Sequence, residues 1–167
     1  MSFVKMFKFA LIATFCVLFF SFKNLPNPKP SEAIYDKASP IAIVNMTKEI
    51  LYYVNIHRRS IGRQPLRLSD IESSLAVAHS VNMASNKTPF GHRGLDERAK
   101  SIERQIGKIT TVAENVASGS MSANEVVDGW LQSPGHKRNI EGDFTLTGIG
   151  VAKNDKNVIY YTQIFSK

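Results

Sequence analysis

Two histidines stand where the sequence disfavours regular secondary structure, and their side chains are well suited to chemistry. His92 lies in TPFGHRG (88–94), where one proline and two glycines favour an irregular backbone. His136 directly follows Ser-Pro-Gly (133–135), which we expect to end the preceding helix and to leave His136 in an irregular segment. Loops on a rigid scaffold often carry function, and imidazoles titrate near neutral pH and bind divalent cations. We therefore predict that both histidines belong to one site.

Glu114 is the carboxylate that best fits the same site. It lies in VAENVAS (112–118), with apolar residues on both sides. A buried carboxylate needs a partner, and a histidine or a metal would serve. Two imidazoles and one carboxylate can bind zinc or a similar cation and leave a position open for water or ligand. The same three groups, His92, Glu114 and His136, can also act without metal as a proton-transfer site.

Other polar residues have simpler explanations. Glu125 lies three residues after Ser122, the spacing of a capping box, so we interpret it as a helix cap. His57 and His79 fall within amphipathic helical patterns, so we assign them to packing or to hydrogen bonds at a helix surface. Ser133 follows a helix rather than standing in a strand–turn–helix elbow, which disfavours a serine–histidine hydrolase.

Four stretches with helical features must position these residues. In the first stretch, apolar residues recur at helical spacing, and in the second, Ser69 and Glu72 have capping-box spacing. The third stretch is shorter and charged, and the fourth has valine, tryptophan and leucine as its buried side. The four stretches are IVNMTKEILYYVNIHRR (43–59), LSDIESSLAVAHSVNMAS (68–85), LDERAKSIERQ (95–105) and SANEVVDGWLQ (122–132).

The second half of the chain carries the β-strand signals. TTVAENVAS (110–118) is short and β-compatible. FTLTGIGVA (144–152) and VIYYTQIFS (158–166) flank the polar turn KNDKN, which predicts an antiparallel hairpin. Helices early and strands late indicate the α+β class, with helices packed on an antiparallel sheet.

The N-terminal residues differ in composition from the rest. FALIATFCVLFFSF (9–22) has no charged residue and is flanked by lysines, which is typical of a secretory signal and short for a membrane span. We predict a signal peptide or N-terminal membrane anchor over 1–33, a linker over 34–41 and one domain over 42–167. The protein would then be exported, and either secreted or anchored on the outer side of the cytoplasmic membrane.

Cysteine content and charge narrow the class of protein. Cys16 is the only cysteine, so the predicted domain contains no disulfide, which suits a bacterial surface protein. Residues 34–167 hold 17 basic and 13 acidic side chains, a mild excess that attracts anionic cell-surface polymers. The sequence lacks a basic patch with interleaved aromatic residues, the pattern that would indicate nucleic-acid binding. We expect no nucleic-acid partner, and contact with a membrane only through the N-terminal segment.

Four motifs follow one another along the predicted domain: PFGHRGLDERAKSI (89–102), AENVA (113–117), GWLQSPGHKRNI (129–140), and TGIGVAKN (147–154) with YYTQIF (160–165). Together they resemble the CAP superfamily of cysteine-rich secretory, antigen 5 and pathogenesis-related proteins, also called the SCP domain or allergen V5/Tpx-1-related domain. The resemblance is to the cysteine-free bacterial branch. The opening segment of that family is matched by Asn55, Arg58, Pro65 and Leu66.

The resemblance implies an α-β-α sandwich with an open cleft. In eukaryotic members two histidines and two glutamates line this cleft, sometimes with a divalent cation. His92 matches the first histidine and Glu114 the first glutamate. Ser133 stands where the family has its second glutamate, and Tyr160 where it has its second histidine, so we expect His136 to fill the vacancy. The secondary candidates for the cleft are Ser133, Tyr160 and Gln163.

Three functions remain open, because one fold hosts unrelated activities. We favour an exported binding module whose cleft, formed by His92, Glu114 and His136, holds a divalent cation, zinc first, or a small-molecule, lipid or cell-envelope ligand. The alternative is a metal-assisted hydrolase of peptides or envelope polymers with Glu114 as base. In the third interpretation the same residues only brace the sheet against its loops.

Overall fold

The computed structural model describes the backbone of residues 40–167 and the side chains of residues 45–167. The leader predicted over 1–33 lies outside the described residues, as does the linker predicted over 34–41 except for its last two residues, which begin the first helix. No helix within the described part of the chain is both long enough and apolar enough to cross a membrane.

The described elements are mixed helices and strands, which confirms the α+β class. The predicted helical stretches, the strand near residue 114 and the C-terminal hairpin are all present. The helices are α1 (Pro40–Ser60), α2 (Asp70–Ala84), α3 (Leu95–Ile106), α4 (Ala123–Gln132) and α5 (Pro134–Ile140); the strands are β1 (Arg67–Leu68), β2 (Val112–Ser118), β3 (Leu146–Lys153) and β4 (Ile159–Ser166).

The strands form one sheet in the order β1-β3-β4-β2. β3 and β4 make the predicted antiparallel hairpin, and β2 pairs antiparallel with β4, which sets Glu114 opposite Ile164. β1 pairs parallel with β3 over two residues, too few to show an alternating pattern in the sequence. β2 therefore forms one edge of the sheet, and it carries Glu114.

The segment after Ser133 differs from the prediction. α4 ends at Gln132, as the Ser-Pro-Gly sequence predicts, but α5 begins at Pro134 and includes His136. Proline suits the first position of a helix, because its missing N–H would have no intrahelical acceptor there and its φ is already helical. The prediction of an irregular segment at His136 is therefore wrong, and this histidine lies in the first turn of α5.

Helices cover both faces of the sheet. On one face, Tyr161 of β4 packs in the same core as Ile50 of α1 and Trp130 of α4. On the other face, Ile164 of β4 packs with Ala76 of α2, and α3 adds to this smaller core. Alternate residues of β4 thus face opposite helical layers, as the period of a strand requires. The result is an α-β-α sandwich.

Two glycines of β3 allow α2 to lie directly on the sheet. A Cβ atom at Gly148 or Gly150 would overlap backbone atoms of α2. The glycines of the TGIGVA segment are therefore needed because helix backbone, rather than a side chain, packs against this face of the strand. This close contact fixes the position of α2, which carries His79.

Asn55 and Arg58 have structural roles. The Oδ1 of Asn55 accepts from the backbone N–H of Leu66 at 2.7 Å, and its Nδ2 donates to the carbonyl of Leu66 at 3.0 Å. Arg58 is 1% exposed and donates to the carbonyls of Ile140 and Gly142, among others. These bonds satisfy buried donors and tie α1 to the end of α5. The opening motif thus builds the scaffold rather than the site.

The two predicted capping boxes have different outcomes. At α4, the backbone N–H of Ser122 donates to Glu125 and the hydroxyl of Ser122 accepts from the N–H of Glu125, which confirms the box. At α2, Ser69 caps the backbone of Glu72, but the Glu72 side chain is buried and accepts from the hydroxyl of Ser166 in β4. The second box is therefore only half formed, because Glu72 turns to the sheet.

Candidate functional site

Glu114 lies on the sheet face that α2 and α3 cover. Its cross-strand partner Ile164 packs on that face, and partners in an antiparallel pair point to the same side. The Glu114 side chain is fully buried, and Arg98 of α3 binds it with a bidentate ion pair. The Nε of Arg98 donates to Oε2 and its Nη2 donates to Oε1, each at 2.8 Å. The guanidinium group neutralises the buried carboxylate and holds it in one orientation.

His92 binds the same carboxylate from the loop before α3. Its Nδ1 lies 3.0 Å from Oε1 of Glu114. Because an ionised carboxylate can only accept, Nδ1 must carry the proton, and Nε2 is then the ring nitrogen with a free lone pair. The His92 side chain is 47% exposed. Glu114 thus selects the tautomer of a histidine that solvent and ligands can reach.

His79 contributes a third imidazole from α2, where it is buried rather than at the helix surface. Its Nε2 donates to the carbonyl of Gly91 at 2.8 Å and lies 3.8 Å from Oε1 of Glu114. Burial lowers the pKa of His79, and the hydrogen bond to Gly91 opposes this shift. A neutral His79 fixes the backbone directly before His92, so it positions the loop.

The segment from α4 to α5 is bound along the edge of β2. The Nε1 of Trp130 donates to the carbonyl of Val116 at 3.2 Å, and the Nδ2 of Asn139 donates to the carbonyl of Glu114 at 3.2 Å. Alternate carbonyls of an edge strand therefore accept from side chains instead of from another strand. This arrangement brings α5, and with it His136, beside β2.

His136 is half-buried in the first turn of α5. Burial lowers the pKa of His136, and a protonated His92 lowers it further. The carbonyl of His136 accepts from the Nδ2 of Asn115, the residue after Glu114, at 3.2 Å. The first turn of α5 therefore lies beside the β2 residue that follows Glu114, and Glu114 in turn binds His92.

The secondary candidates lie in different places. Ser133 is half-buried at the N-cap of α5, without a side-chain capping hydrogen bond. Tyr160 faces the same layer as Glu114, but it pairs with Ser118, four positions along the strand, or about 13 Å. Gln163 is fully buried on the opposite face and donates to the hydroxyl of Thr147. The structure does not bring Tyr160 or Gln163 together with the His92–Glu114 pair, whereas Ser133 begins the helix that carries His136.

Sequence reasoning missed Arg98, His79 and Asn115 as members of this site. The sequence contained one clue to Arg98. A buried glutamate in an apolar strand needs a cation, and the charged third helix supplies one. The sequence contained no such clue to His79 or Asn115, because a helical or strand pattern does not tell which buried polar residue contacts a distant segment.

The donor set limits how a metal could bind. In the described part of the chain, no group of three or more His, Cys, Asp or Glu side chains is arranged to hold a metal ion. Both oxygens of Glu114 accept from Arg98, so a second cation bound directly to this carboxylate would meet a fixed positive charge. The Nε2 of His92 and the ring of His136 are the donors that remain. Glu114 then lies behind His92 as the carboxylate that orients a ligand, as in many zinc sites.

The comparisons with known proteins agree with this fold. Residues 51–165 match the family described as CAP, the cysteine-rich secretory protein family. Because the match covers more than half of the chain, the chain belongs to this family.

Two curated relatives come from Bacillus subtilis. The uncharacterized protein YkwD is 28% identical over 120 residues, covering 70% of this chain and 46% of the relative. The uncharacterized membrane protein YlbC is 29% identical over 125 residues, covering 72% of this chain and 34% of the relative. The chain therefore spans less than half the length of the curated relatives that it matches.

Solved structures show the same architecture. An extracellular protein of Bacillus anthracis that contains an SCP domain superposes with a TM-score of 0.65 at 25% identity, covering 77% of this chain and 44% of that one. An outer surface protein of Borrelia burgdorferi gives a TM-score of 0.62 at 23% identity, covering 74% of this chain and 92% of that one. These likenesses confirm the predicted CAP-type fold.

Proposed function

We propose that this protein is an exported binding module whose cleft, formed by His92, Glu114 and His136, holds a divalent cation or a small amphipathic ligand. The observation that carries the proposal is the hydrogen bond from Nδ1 of His92 to Glu114. It fixes the tautomer of a half-exposed imidazole and leaves Nε2 free for a ligand. His136, whose pKa burial lowers, supplies a neutral second imidazole near it.

Zinc is the cation that suits this donor set best, because two neutral imidazoles with a carboxylate behind one of them are common in zinc sites. His92 and His136 would hold the ion, and Glu114 would orient His92 rather than bind directly. Such an ion would supply a Lewis acid with positions open to water or ligand. With two protein ligands, we expect binding to be weak and exchangeable.

An amphipathic ligand is supported by the surface beside His92. Phe90, two residues earlier in the same loop, is 55% exposed. An exposed aromatic ring next to a polar imidazole offers an apolar contact and a hydrogen bond within one short segment. A lipid or an envelope component with a polar head would match this pair.

Export is part of the proposal. It is supported by the apolar stretch 9–22 between lysines and by relatives described as extracellular, outer-surface or membrane proteins. We expect protease added to intact cells that express the full-length chain to degrade it. A Val17→Arg substitution, which interrupts the apolar stretch, should protect the protein by retaining it in the cytoplasm. If the wild type and the Val17→Arg variant resist the added protease equally, export is contradicted.

Calorimetry with zinc chloride on the full-length chain tests the cleft. We expect His92→Ala and His136→Ala to weaken zinc binding at least tenfold. His57→Gln is the matched control, because His57 bonds Glu141 at 2.9 Å and lies outside the predicted set. Equal affinity in the wild type and both alanine variants rules out this cation site. If zinc does not bind, mass spectrometry of small molecules that co-purify with the protein tests the amphipathic-ligand alternative. We then expect the bound molecule to be lost in His92→Ala and His136→Ala.

A metal-assisted hydrolase that uses the same residues is the second candidate. Because Arg98 binds both oxygens of Glu114, the base in this candidate is His92 rather than Glu114 as the sequence predicted. The observation in its favour is again the His92–Glu114 pair, since Nε2 of His92 can take a proton from water while Glu114 stabilises the resulting imidazolium. A panel of peptide and glycan substrates, with and without zinc, separates the two functions. Ligand binding without turnover supports the binding module.

A further inference from the structure

Adjacent residues of β2 serve opposite faces of the sheet. Glu114 points toward α2 and α3, where it binds His92 and Arg98. Asn115, the next residue, points to the other face with its cross-strand partner Gln163, and it is fully buried. Because β2 is the edge strand, these two adjacent side chains bind elements on opposite faces of the sheet.

Both ends of the Asn115 amide are engaged by α5. Its Nδ2 donates to the carbonyl of His136 at 3.2 Å, and its Oδ1 accepts from the Nδ2 of Asn139 at 2.8 Å. Asn139 also donates to the carbonyl of Glu114 at 3.2 Å. The two asparagines therefore bind the first and the last turn of α5 to the two residues at the centre of β2.

α5 needs such an attachment, because a seven-residue helix is not stable by itself in water. Its C-terminal end is already fixed, since the carbonyl of Ile140 accepts from the buried Arg58 at 2.6 Å. The N-terminal turn, which carries His136, is bound to the sheet by Asn115. This bond, together with those of Asn139, restricts the rotation of α5 about its axis and hence the position of the imidazole.

We infer that Asn115 is a positioning residue that holds His136 within reach of His92. The inference rests on the proposed function, because it assigns to Asn115 the geometry of that same cleft. The chain thereby sets the two imidazoles with consecutive residues: Glu114 orients His92, and Asn115 orients His136. A displacement of α5 would separate the two rings while leaving the His92–Glu114 pair intact.

The isosteric variant Asn115→Asp tests this inference in the full-length chain. It keeps the volume and the acceptor for Asn139, and its ionised form, measured above the pKa of the introduced carboxyl group, cannot donate to the carbonyl of His136. Asn55→Asp is a matched control, because Asn55 also accepts from one backbone N–H and donates to one carbonyl, both of Leu66, away from the cleft. Both variants should lose stability, so a stability measurement alone would not separate them.

Two readouts separate positioning from stability. The first is the nuclear Overhauser cross-peak between the rings of His92 and His136 in histidine-labelled protein, and the second is the affinity for cobalt(II) followed by absorbance. We expect Asn115→Asp to abolish the cross-peak and to weaken cobalt binding at least tenfold. Asn55→Asp should leave both readouts unchanged. If Asn115→Asp does not fold, Asn139→Ala replaces it, since it removes the partner that orients the Asn115 amide.

The outcomes distinguish this inference from the proposed function. If the wild type shows the cross-peak but binds no cobalt, the cation site fails, and the cross-peak alone decides the role of Asn115. A cross-peak that survives in Asn115→Asp overturns the inference, as does one that is absent from the wild type. If Asn55→Asp loses the cross-peak and the cobalt affinity to the same extent, the inference is also overturned, because the effect would then come from general destabilisation.

Discussion

Arg98 and His92 bind the same oxygen of Glu114. The Nη2 of Arg98 lies 2.8 Å from Oε1, and the Nδ1 of His92 lies 3.0 Å from it. The carboxylate is fully buried, whereas the His92 side chain is 47% exposed. Glu114 therefore joins a largely covered charge-neutralising partner to a solvent-accessible one. This arrangement makes stability and ligand binding depend on one side chain, and the two can be measured separately.

Removing the guanidinium group of Arg98 should strongly destabilise the fold. In Arg98→Met the Glu114 carboxylate stays buried without its counter-ion, which typically costs about 3–5 kcal/mol of unfolding free energy. Urea unfolding followed by circular dichroism measures the loss. The double variant Arg98→Met/Glu114→Gln removes the orphaned charge as well, so we expect it to be more stable than Arg98→Met alone. A double variant that is no more stable would show that the pair contributes packing rather than charge compensation.

Glu114→Gln separates a binding cleft from a structural brace. Glutamine keeps the shape of the side chain but leaves Arg98 unpaired and allows His92 to change tautomer, so we expect a loss of about 3 kcal/mol in stability. If the cleft binds zinc, the affinity should also fall at least tenfold. Thermal unfolding and calorimetry measure the two effects. A stability loss with unchanged affinity would favour the brace.

Gly150→Ala should destabilise the protein because α2 backbone occupies the space that a Cβ needs. Backbone atoms cannot move aside as side chains can, so we expect about 3 kcal/mol, the upper range for overpacking. Gly129→Ala is the control, since that glycine lies in α4 with no atom near its would-be Cβ. The control should gain about 0.5–1 kcal/mol from helix propensity. Equal effects of the two substitutions would contradict the close packing of α2 on β3.

Glu72 should make stability fall as pH rises. Burial raises the pKa of Glu72 above its ordinary value near 4.5, and the hydrogen bond from Ser166 opposes this shift. The folded state then keeps a proton that the unfolded state loses. Its stabilising effect is complete below the unfolded pKa and is lost as pH rises through the folded pKa, with a slope of at most about 1.4 kcal/mol per pH unit.

Glu72→Gln removes this titration while keeping the shape. We expect the variant and the wild type to have similar stability at pH 4 and the variant to be more stable at higher pH, as measured by urea unfolding across that range. Parallel pH profiles for the two proteins would show that Glu72 has the same pKa in the folded and the unfolded state.

Local sequence patterns determined most of the secondary structure. Helical periodicity predicted the first helix, and the Ser69–Glu72 and Ser122–Glu125 spacings predicted the starts of α2 and α4. The polar turn between two β-rich runs predicted the β3–β4 hairpin. Each of these features depends on residues close together in the chain, so a linear pattern contains the information. The Ser-Pro-Gly segment determined the end of α4 but not the state of His136, because proline both ends one helix and begins another.

The sequence by itself also indicated His92, Glu114 and His136 as candidates, from residue type, local backbone and the apolar setting of the glutamate. Only the tertiary structure decided their partners. Arg98 reaches Glu114 from another helix, and Asn115 reaches His136 because β2 lies at the sheet edge beside α5. Such contacts depend on strand order and helix placement, which are set by the packing of the whole core. The chemistry of each residue is therefore local, whereas the geometry of the cleft belongs to the fold.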